Sequence, residues 1–375
     1  MQGYDFRYGP QLISGPGAAR RLAELLPAGR CLFVTDSNVR ALGLADAVLA
    51  ALPETTVFDS VEEDPSRETL MAAVAAGEGC VSVVGFGGGS PMDVAKLAAY
   101  LLATGEDLDT LWGVGKATGR KLPLALVPTT AGTGSEATAV TVITVGGSEK
   151  RGVNSPALYA DWAVLDAELT LTLPRAVTAA TGIDAMVHAI EAYTSARRKN
   201  PMSDMFARKA LRLISDNLLI ACDRPDNLEA RGKMLLAAHL AGVAFDNAPV
   251  AGVHALAYPL GGHFHVPHGL SNALMLTHVL AHNMDSARPL YAELGAMLDP
   301  TAKDIGQQGQ AQAFIQHLGR LSRAAGVPQK LSAVGIGHEH LDLLAAEAMK
   351  QERLLVNNPC PITEADARRL YEAAL

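Results

Sequence analysis

Several features that would assign this chain to an extracellular, membrane or nucleic-acid-binding class are missing. Cysteine is scarce: Cys31, Cys80, Cys222 and Cys360 are scattered, with no CxxC pair and no disulfide-like spacing. Such usage fits a reducing, cytoplasmic compartment. No run of Lys/Arg exceeds three residues, and 31 basic against 39 acidic residues leave a formal net charge of −8. Nucleic acid is therefore not an expected partner. No apolar stretch approaches the ~18–20 residues of a bilayer span. The opening MQGYDFRYGP lacks a basic segment followed by an apolar core, so no signal peptide and no membrane partner are expected. Repeats and low-complexity tracts are also absent. What remains is a chain of 375 residues, 49% hydrophobic, able to bury large cores and long enough for two domains.

From about residue 30 to 135, short β-branched runs alternate with Ala/Leu-rich helical stretches. CLFVTD (31–36), TTVFD (55–59), CVSVVGFG (80–87) and LPLALVP (122–128) are the strand candidates. This alternation predicts a Rossmann-like parallel sheet with helices on both faces. Ligands in such sheets bind beyond the carboxyl ends of the strands, so the residues that end each run matter most.

The third run ends with Gly87, Gly88, Gly89, Ser90, Pro91, Met92 and Asp93. Glycines there let a bound group approach the backbone. Ser90 reads as an N-cap, with Pro91 at the first helical position and Asp93 in a near capping-box spacing. A helix start behind such a turn suits a pyrophosphate, although it also reads as a tight turn with no ligand. The fourth run ends with Thr129, Thr130, Ala131, Gly132, Thr133, Gly134 and Ser135, a second polar lip or a plain hydroxyl-rich loop. Asp36 ends the first run. Its carboxylate could accept from a ribose diol and repel a 2′-phosphate, favouring NAD over NADP, or could only cap the next helix. Asp64-Pro65-Ser66 forms another turn at this edge.

After Pro174 strand signals nearly vanish, and helices are expected at 176–195, 202–222, 227–246, 270–283, 287–298, 308–325 and 339–351. The fold class is thus α/β plus all-α: residues 1–174 a nucleotide-binding domain, and 175–375 a helical metal-binding domain. Asp184 and His188 stand four apart in TGIDAMVHAIEAY (181–193), on one helix face and ~6 Å apart along its axis. Such a pair is more often a surface hydrogen bond than two metal ligands. The odds change with His254, His263, His265, His268 and His278, five of the eleven histidines within 25 positions. One Asp with up to three His makes a set suited to Fe²⁺, Zn²⁺ or Mn²⁺.

Together these stretches resemble the iron-containing (group III) alcohol dehydrogenases of the dehydroquinate-synthase-like fold. The matching motifs are GGGSPMDVAK (87–96), PTTAGTGSE (128–136), ATGIDAMVHAIEAY (180–193), HALAYPLGGHFHVPHGLSNA (254–273) and NNPCPIT (357–363). The resemblance implies metal ligation by Asp184, His188, His254 and His268. It implies pyrophosphate and nicotinamide contacts at Gly88, Gly89, Ser90 and Asp93, and a second cofactor lip at Thr129, Thr130 and Thr133. Lys150 matches a lysine that reaches the cofactor ribose, and Asp36 a residue tied to NAD preference. One position departs: Tyr258 stands where many members have a histidine, in a pattern like HxxxHPLG. Its hydroxyl could move a proton near the substrate or its ring could only shape the pocket, with His265 as a possible substitute.

The function this implies is NAD-linked oxidation of a simple alcohol, diol or hydroxy acid, or reduction of the corresponding aldehyde, with the metal as Lewis acid. Alternatives within the fold are a maleylacetate-reductase-like enzyme without metal and a lyase resembling dehydroquinate synthase, which would accumulate no NADH. A catalytically silent binding protein is the rival from another class. A homodimer or higher homo-oligomer is expected.

Overall fold

The computed structural model describes residues 3–52, 54–146 and 149–375, with only the backbone at Lys303. The chain forms two compact units: Tyr8–Thr172, and Leu173–Leu375 together with the described residues of Met1–Arg7.

Among its described residues the first unit holds nine strands: β1 (Gln11–Ser14), β2 (Cys31–Val34), β3 (Thr55–Phe58), β4 (Ser82–Gly87), β5 (Gly113–Val114), β6 (Leu124–Pro128), β7 (Val140–Val145), β8 (Glu149–Asn154) and β9 (Trp162–Leu165). Its helices are α1 (Leu22–Leu25), α2 (Ser37–Ala41), α3 (Asp46–Ala51), α4 (Arg67–Ala76) and α5 (Gly89–Thr104). Six strands make a wholly parallel sheet in the order β1-β9-β6-β4-β2-β3. All four sequence-read strands lie in it. β1 and β9 join them, and β5, β8 and β7 form a separate small sheet.

β2, β4 and β6 are buried along their whole length, as their continuous apolar runs require of strands covered on both faces. Successive side chains alternate between two cores. Leu32, Val34, Val83, Leu124 and Leu126 pack with Leu70 and Leu97 of α4 and α5. Phe33, Val84, Phe86, Ala125 and Val127 pack with Leu22, Val39 and Val48 of α1–α3. The chain leaves β2 toward β3 on one side and returns to β4 on the other. The ends of β2 and β4 therefore flank the switch point where ligands of open parallel sheets bind.

The second unit is helical: α6 (Arg175–Thr194), α7 (Pro201–Asp223), α8 (Leu228–Asn247), α9 (Gly252–Phe264), α10 (His268–His282), α11 (Met284–Leu298), α12 (Gly306–Ala325), α13 (Leu341–Met349), α14 (Glu352–Leu355) and α15 (Glu364–Ala373). From Gly182 to Thr194 every residue of α6 is buried, which makes it the central helix. Asn200 and Asn227 cap α7 and α8 with their side chains. The helices expected from sequence do not include α14, α15 or α9, and α9 carries Pro259, Gly261 and Gly262 and is closed by His265 with φ 54°. Local propensity opposes this helix, and burial of Val253 to Ala257 and Leu260 overrides it. Among the described residues no single helix is long and apolar enough to cross a membrane.

Candidate functional site

Three helices of the second unit supply one cluster. Asp184 and His188 come from α6, His254 from α9 and His268 from the first position of α10. One ligand atom from each lies within 4.8 Å of the others. Asp184 Oδ1 stands 3.6 Å from His268 Nε2 and 4.0 Å from His254 Nε2. Atoms ~2.1 Å from a shared ion are separated by ~3–4 Å, so these spacings suit one divalent cation. Asp184, His188 and His254 are buried, and His268 is partly open. His188 is held between the rings of Phe245 (centroids 4.4 Å apart) and His254 (4.8 Å).

The hydrogen bonds of this cluster suit a cation. Asn272, one turn after His268, directs Nδ2 to Asp184 Oδ1 at 2.7 Å and to the Nε2 atoms of His254 and His268 at 3.2 Å each. An amide nitrogen has two hydrogens for these three neighbours. His254 Nδ1 faces the Glu191 carboxylate at 2.6 Å, which places its proton there and leaves Nε2 as a lone pair. Asp184 Oδ1 and His254 Nε2 thus present lone pairs into a buried space, as metal ligands must. Burial opposes ionisation of Asp184, but the imidazoles of His188, His268 and His254 and the Asn272 amide outweigh it. Its carboxyl stays below the ordinary range.

The other sequence-read histidines lie outside the cluster. His263 pairs with Glu347 at 3.6 Å, His265 is exposed at the end of α9, and burial lowers the pKa of half-buried His278. Tyr258, one turn after His254, sits edge-on to that ring (centroids 6.5 Å apart) and 5.8 Å from the His268 ring.

In the first unit, the ends of β4 and β6 lie side by side, with Thr129 N donating to Gly87 O at 2.8 Å. Gly87 adopts φ 150°, and a Cβ there would stand 2.8 Å from Pro91 Cγ and 3.1 Å from Asp36 Oδ2. Only glycine fits that position. A Cβ on Gly89 would meet Thr133 Cγ2 at 3.0 Å, and one on Gly88 would lie 3.8 Å from Thr130 Oγ1. The two lips therefore meet across their glycines. Asp36 does cap α2, through Oδ1 to Val39 N at 2.9 Å, while Oδ2 faces the Gly87 turn.

Two expectations here need correction. The N-cap of α5 is Gly88, not Ser90, and it offers no side-chain cap. Extended backbone at Gly88 lets the helix start at Gly89, which shifts Ser90 and Pro91 inside it. Asp93 forms no capping box with Ser90. Its Oδ1 accepts from Ser135 Oγ at 2.6 Å and its Oδ2 from Val142 N at 2.8 Å, bracing α5 against residues 135–142. Lys150, on β8, pairs with Asp64 Oδ1 at 2.5 Å.

Comparison with known proteins places these features. The model of the iron-containing alcohol dehydrogenase family matches residues 9–167, and that of the family's C-terminal part matches 178–375. Long-chain-alcohol dehydrogenase 1 of Geobacillus thermodenitrificans is 41% identical, over 93% of this chain and 90% of its own. This chain belongs to the iron-containing alcohol dehydrogenase family. It is an oxidoreductase acting on CH–OH groups. Among solved structures, a 1,3-propanediol oxidoreductase superposes with a TM-score of 0.96 at 34% identity, covering both chains fully. A sulfoacetaldehyde reductase from Bifidobacterium kashiwanohense, in complex with NAD⁺, gives 0.90 at 29%, covering 100% of this chain and 99% of that one.

In this alcohol dehydrogenase, residues that the sequence reading passed over support both sites. Glu191 lies seven residues after Asp184 on the same helix face, a spacing visible in TGIDAMVHAIEAY. Asn272 stands four after His268 in the same way. Lys96, fully buried, donates to Ser135 Oγ (2.8 Å), Thr138 Oγ1 (3.2 Å) and Val140 O (2.7 Å). A lysine inside the apolar run VAKLAAYLL was the available signal.

Proposed function

We propose that this chain catalyses reversible hydride transfer between the carbinol carbon of a primary alcohol and C4 of the nicotinamide of NAD. Asp184, His188, His254 and His268 would hold Fe²⁺, or Zn²⁺ or Mn²⁺ by the same donor chemistry. The observation that carries this reading is the four-donor cluster, in which Glu191 turns the Nε2 lone pair of buried His254 toward buried Asp184. Bound there, a divalent cation supplies Lewis acidity that acidifies an alcohol and polarises a carbonyl. Tyr258 borders the half-open His268 side, where its hydroxyl can hold or pass a proton at the substrate oxygen.

The uncapped first turn of α5, at Gly88, Gly89 and Ser90, would take the pyrophosphate, and Gly87 allows its close approach. Thr129, Thr130, Thr133 and Ser135 form the facing lip, braced by Asp93. Lys150 would reach the ribose from its pairing with Asp64. Asp36 directs a free carboxylate oxygen at the Gly87 turn, which disfavours a 2′-phosphate and supports NAD over NADP.

A long-chain alcohol, 1,3-propanediol and sulfoacetaldehyde, named for the three relatives, support a terminal alcohol or aldehyde as substrate. Four free cysteines support a reducing, cytoplasmic setting, and a homodimer or higher homo-oligomer is in keeping with two-fold dimers being the commonest soluble assemblies. The test is His268→Ala, with bound metal measured alongside NAD-linked oxidation of a panel of primary alcohols. Loss of the metal with a roughly thousandfold fall in rate is expected. Full activity in a metal-free variant would defeat the proposal.

A further inference from the structure

The start of α9 is unusual in where its caps come from. The preceding residues, Ala248 to Ala251, contain no Ser, Thr, Asp or Asn, and Ala251 offers no side-chain cap. The helix-start N–H groups are satisfied from distant parts of the chain instead. Glu191 of α6 accepts from Ala251 N (2.8 Å) and Val253 N (2.6 Å), and the same carboxylate takes His254 Nδ1 at 2.6 Å. Asn358 Oδ1 accepts from Gly252 N at 3.3 Å, and Asn357 Nδ2 donates to Val250 O at 2.9 Å.

Asn358 is itself fixed. Its amide exchanges hydrogen bonds with Asn283, at 2.7 and 3.0 Å, and donates to Cys360 O at 2.7 Å. The approach is close enough that a Cβ on Gly252 would stand 2.6 Å from Asn358 Oδ1 and 2.7 Å from Ile362 Cδ1. All these groups converge on five consecutive residues, Val250 to His254. The NNPCPIT segment thereby acquires a role that neither the metal nor the dinucleotide assigns to it.

We propose that Glu191 and the Asn357–Asn358 pair are positioning residues that cap α9 from afar, fix the direction of the His254 ring and set how tightly the chain retains its metal. The inference rests on the four-ligand reading above. Glu191 acts through His254: it holds the Nδ1 proton, aims Nε2 into the cluster and raises the basicity of the ring. The asparagines act one step further out, by holding the backbone that carries His254.

The experiment uses the full chain stripped of metal, with Zn²⁺ affinity from chelator competition and the visible spectrum of the Co²⁺-loaded protein. Glu191→Gln should bind Zn²⁺ roughly 10- to 100-fold more weakly and change the Co²⁺ spectrum. Asn358→Ala should weaken Zn²⁺ binding in the same direction, by less than about tenfold. A purely structural role would lower the melting temperature of metal-free and loaded protein alike and leave affinity and spectrum at wild-type values. That result in Glu191→Gln overturns the proposal, or in Asn358→Ala if the first variant does not fold. A wild-type chain that binds neither Zn²⁺ nor Co²⁺ would overturn the four-ligand reading and this inference with it.

Discussion

The helical unit builds its site from side chains, whereas the α/β unit builds its candidate site from backbone. Asp184, His188, His254 and His268 project from three helices, and their aim depends on what lies behind each ring. Phe245 stacks on His188, Glu191 holds His254, and Asn272 reaches Asp184. At the ends of β4 and β6 the useful groups are glycines and uncapped N–H groups, and the buried side chains act as struts. Asp93 and Lys96 both tie α5 to residues 135–142. A metal site needs fixed donor atoms at fixed spacing, while a pyrophosphate site needs open N–H groups and room.

This difference can be broken from either side. The larger effect is expected at Lys96, whose replacement by Met would leave the Val140 carbonyl and two buried hydroxyls without their donor. A loss of roughly 2 kcal/mol or more in stability follows, together with weaker NAD binding, while Zn²⁺ affinity stays at the wild-type value. Thermal melting, NAD titration and chelator competition on one preparation read all three. Zn²⁺ affinity falling in parallel with NAD affinity would show that the two sites do not rest on separate supports.

A smaller effect sharpens the other side. Burial lowers the pKa of His278, and burial with the nearby Arg320 lowers that of His317, which bonds to Ser215 Oγ at 2.8 Å. A histidine with a lowered folded pKa contributes its full stability above the unfolded value of ~6.5 and loses it as pH falls below that value. Melting temperature should therefore drop modestly between pH 7.5 and 5.5, and His317→Gln should make the drop shallower. An unchanged slope in that variant would remove His317 from the account.

How much of this was legible from the residues follows the same division. β2, β4 and β6 could be read because continuous apolar runs report burial on both faces, and the edge strand β3 by its β-branched residues. The helix pair Asp184 and His188 could be read because four-residue spacing is a property of the helix itself. α9 could not, since Pro259, Gly261 and Gly262 argue against a helix that packing imposes. Ser90 looked like an N-cap by residue type, yet the extended backbone at Gly88 starts the helix two residues earlier. Glu191, Asn272 and Lys96 reach Ala251, Asp184 and Ser135, which lie 60, 88 and 39 residues away. Periodicity can suggest that they face inward. It cannot name what they meet there.

The central claim, that the helical cluster serves NAD-linked alcohol chemistry by holding one metal ion, has a direct measurement. The full chain is stripped with a chelator, mixed with NAD and a primary alcohol, and titrated anaerobically with Fe²⁺ while NADH is followed by absorbance. The account predicts negligible rate before addition, and a rate that rises and saturates near about one ion per chain. Undiminished NADH formation by the stripped protein would contradict it.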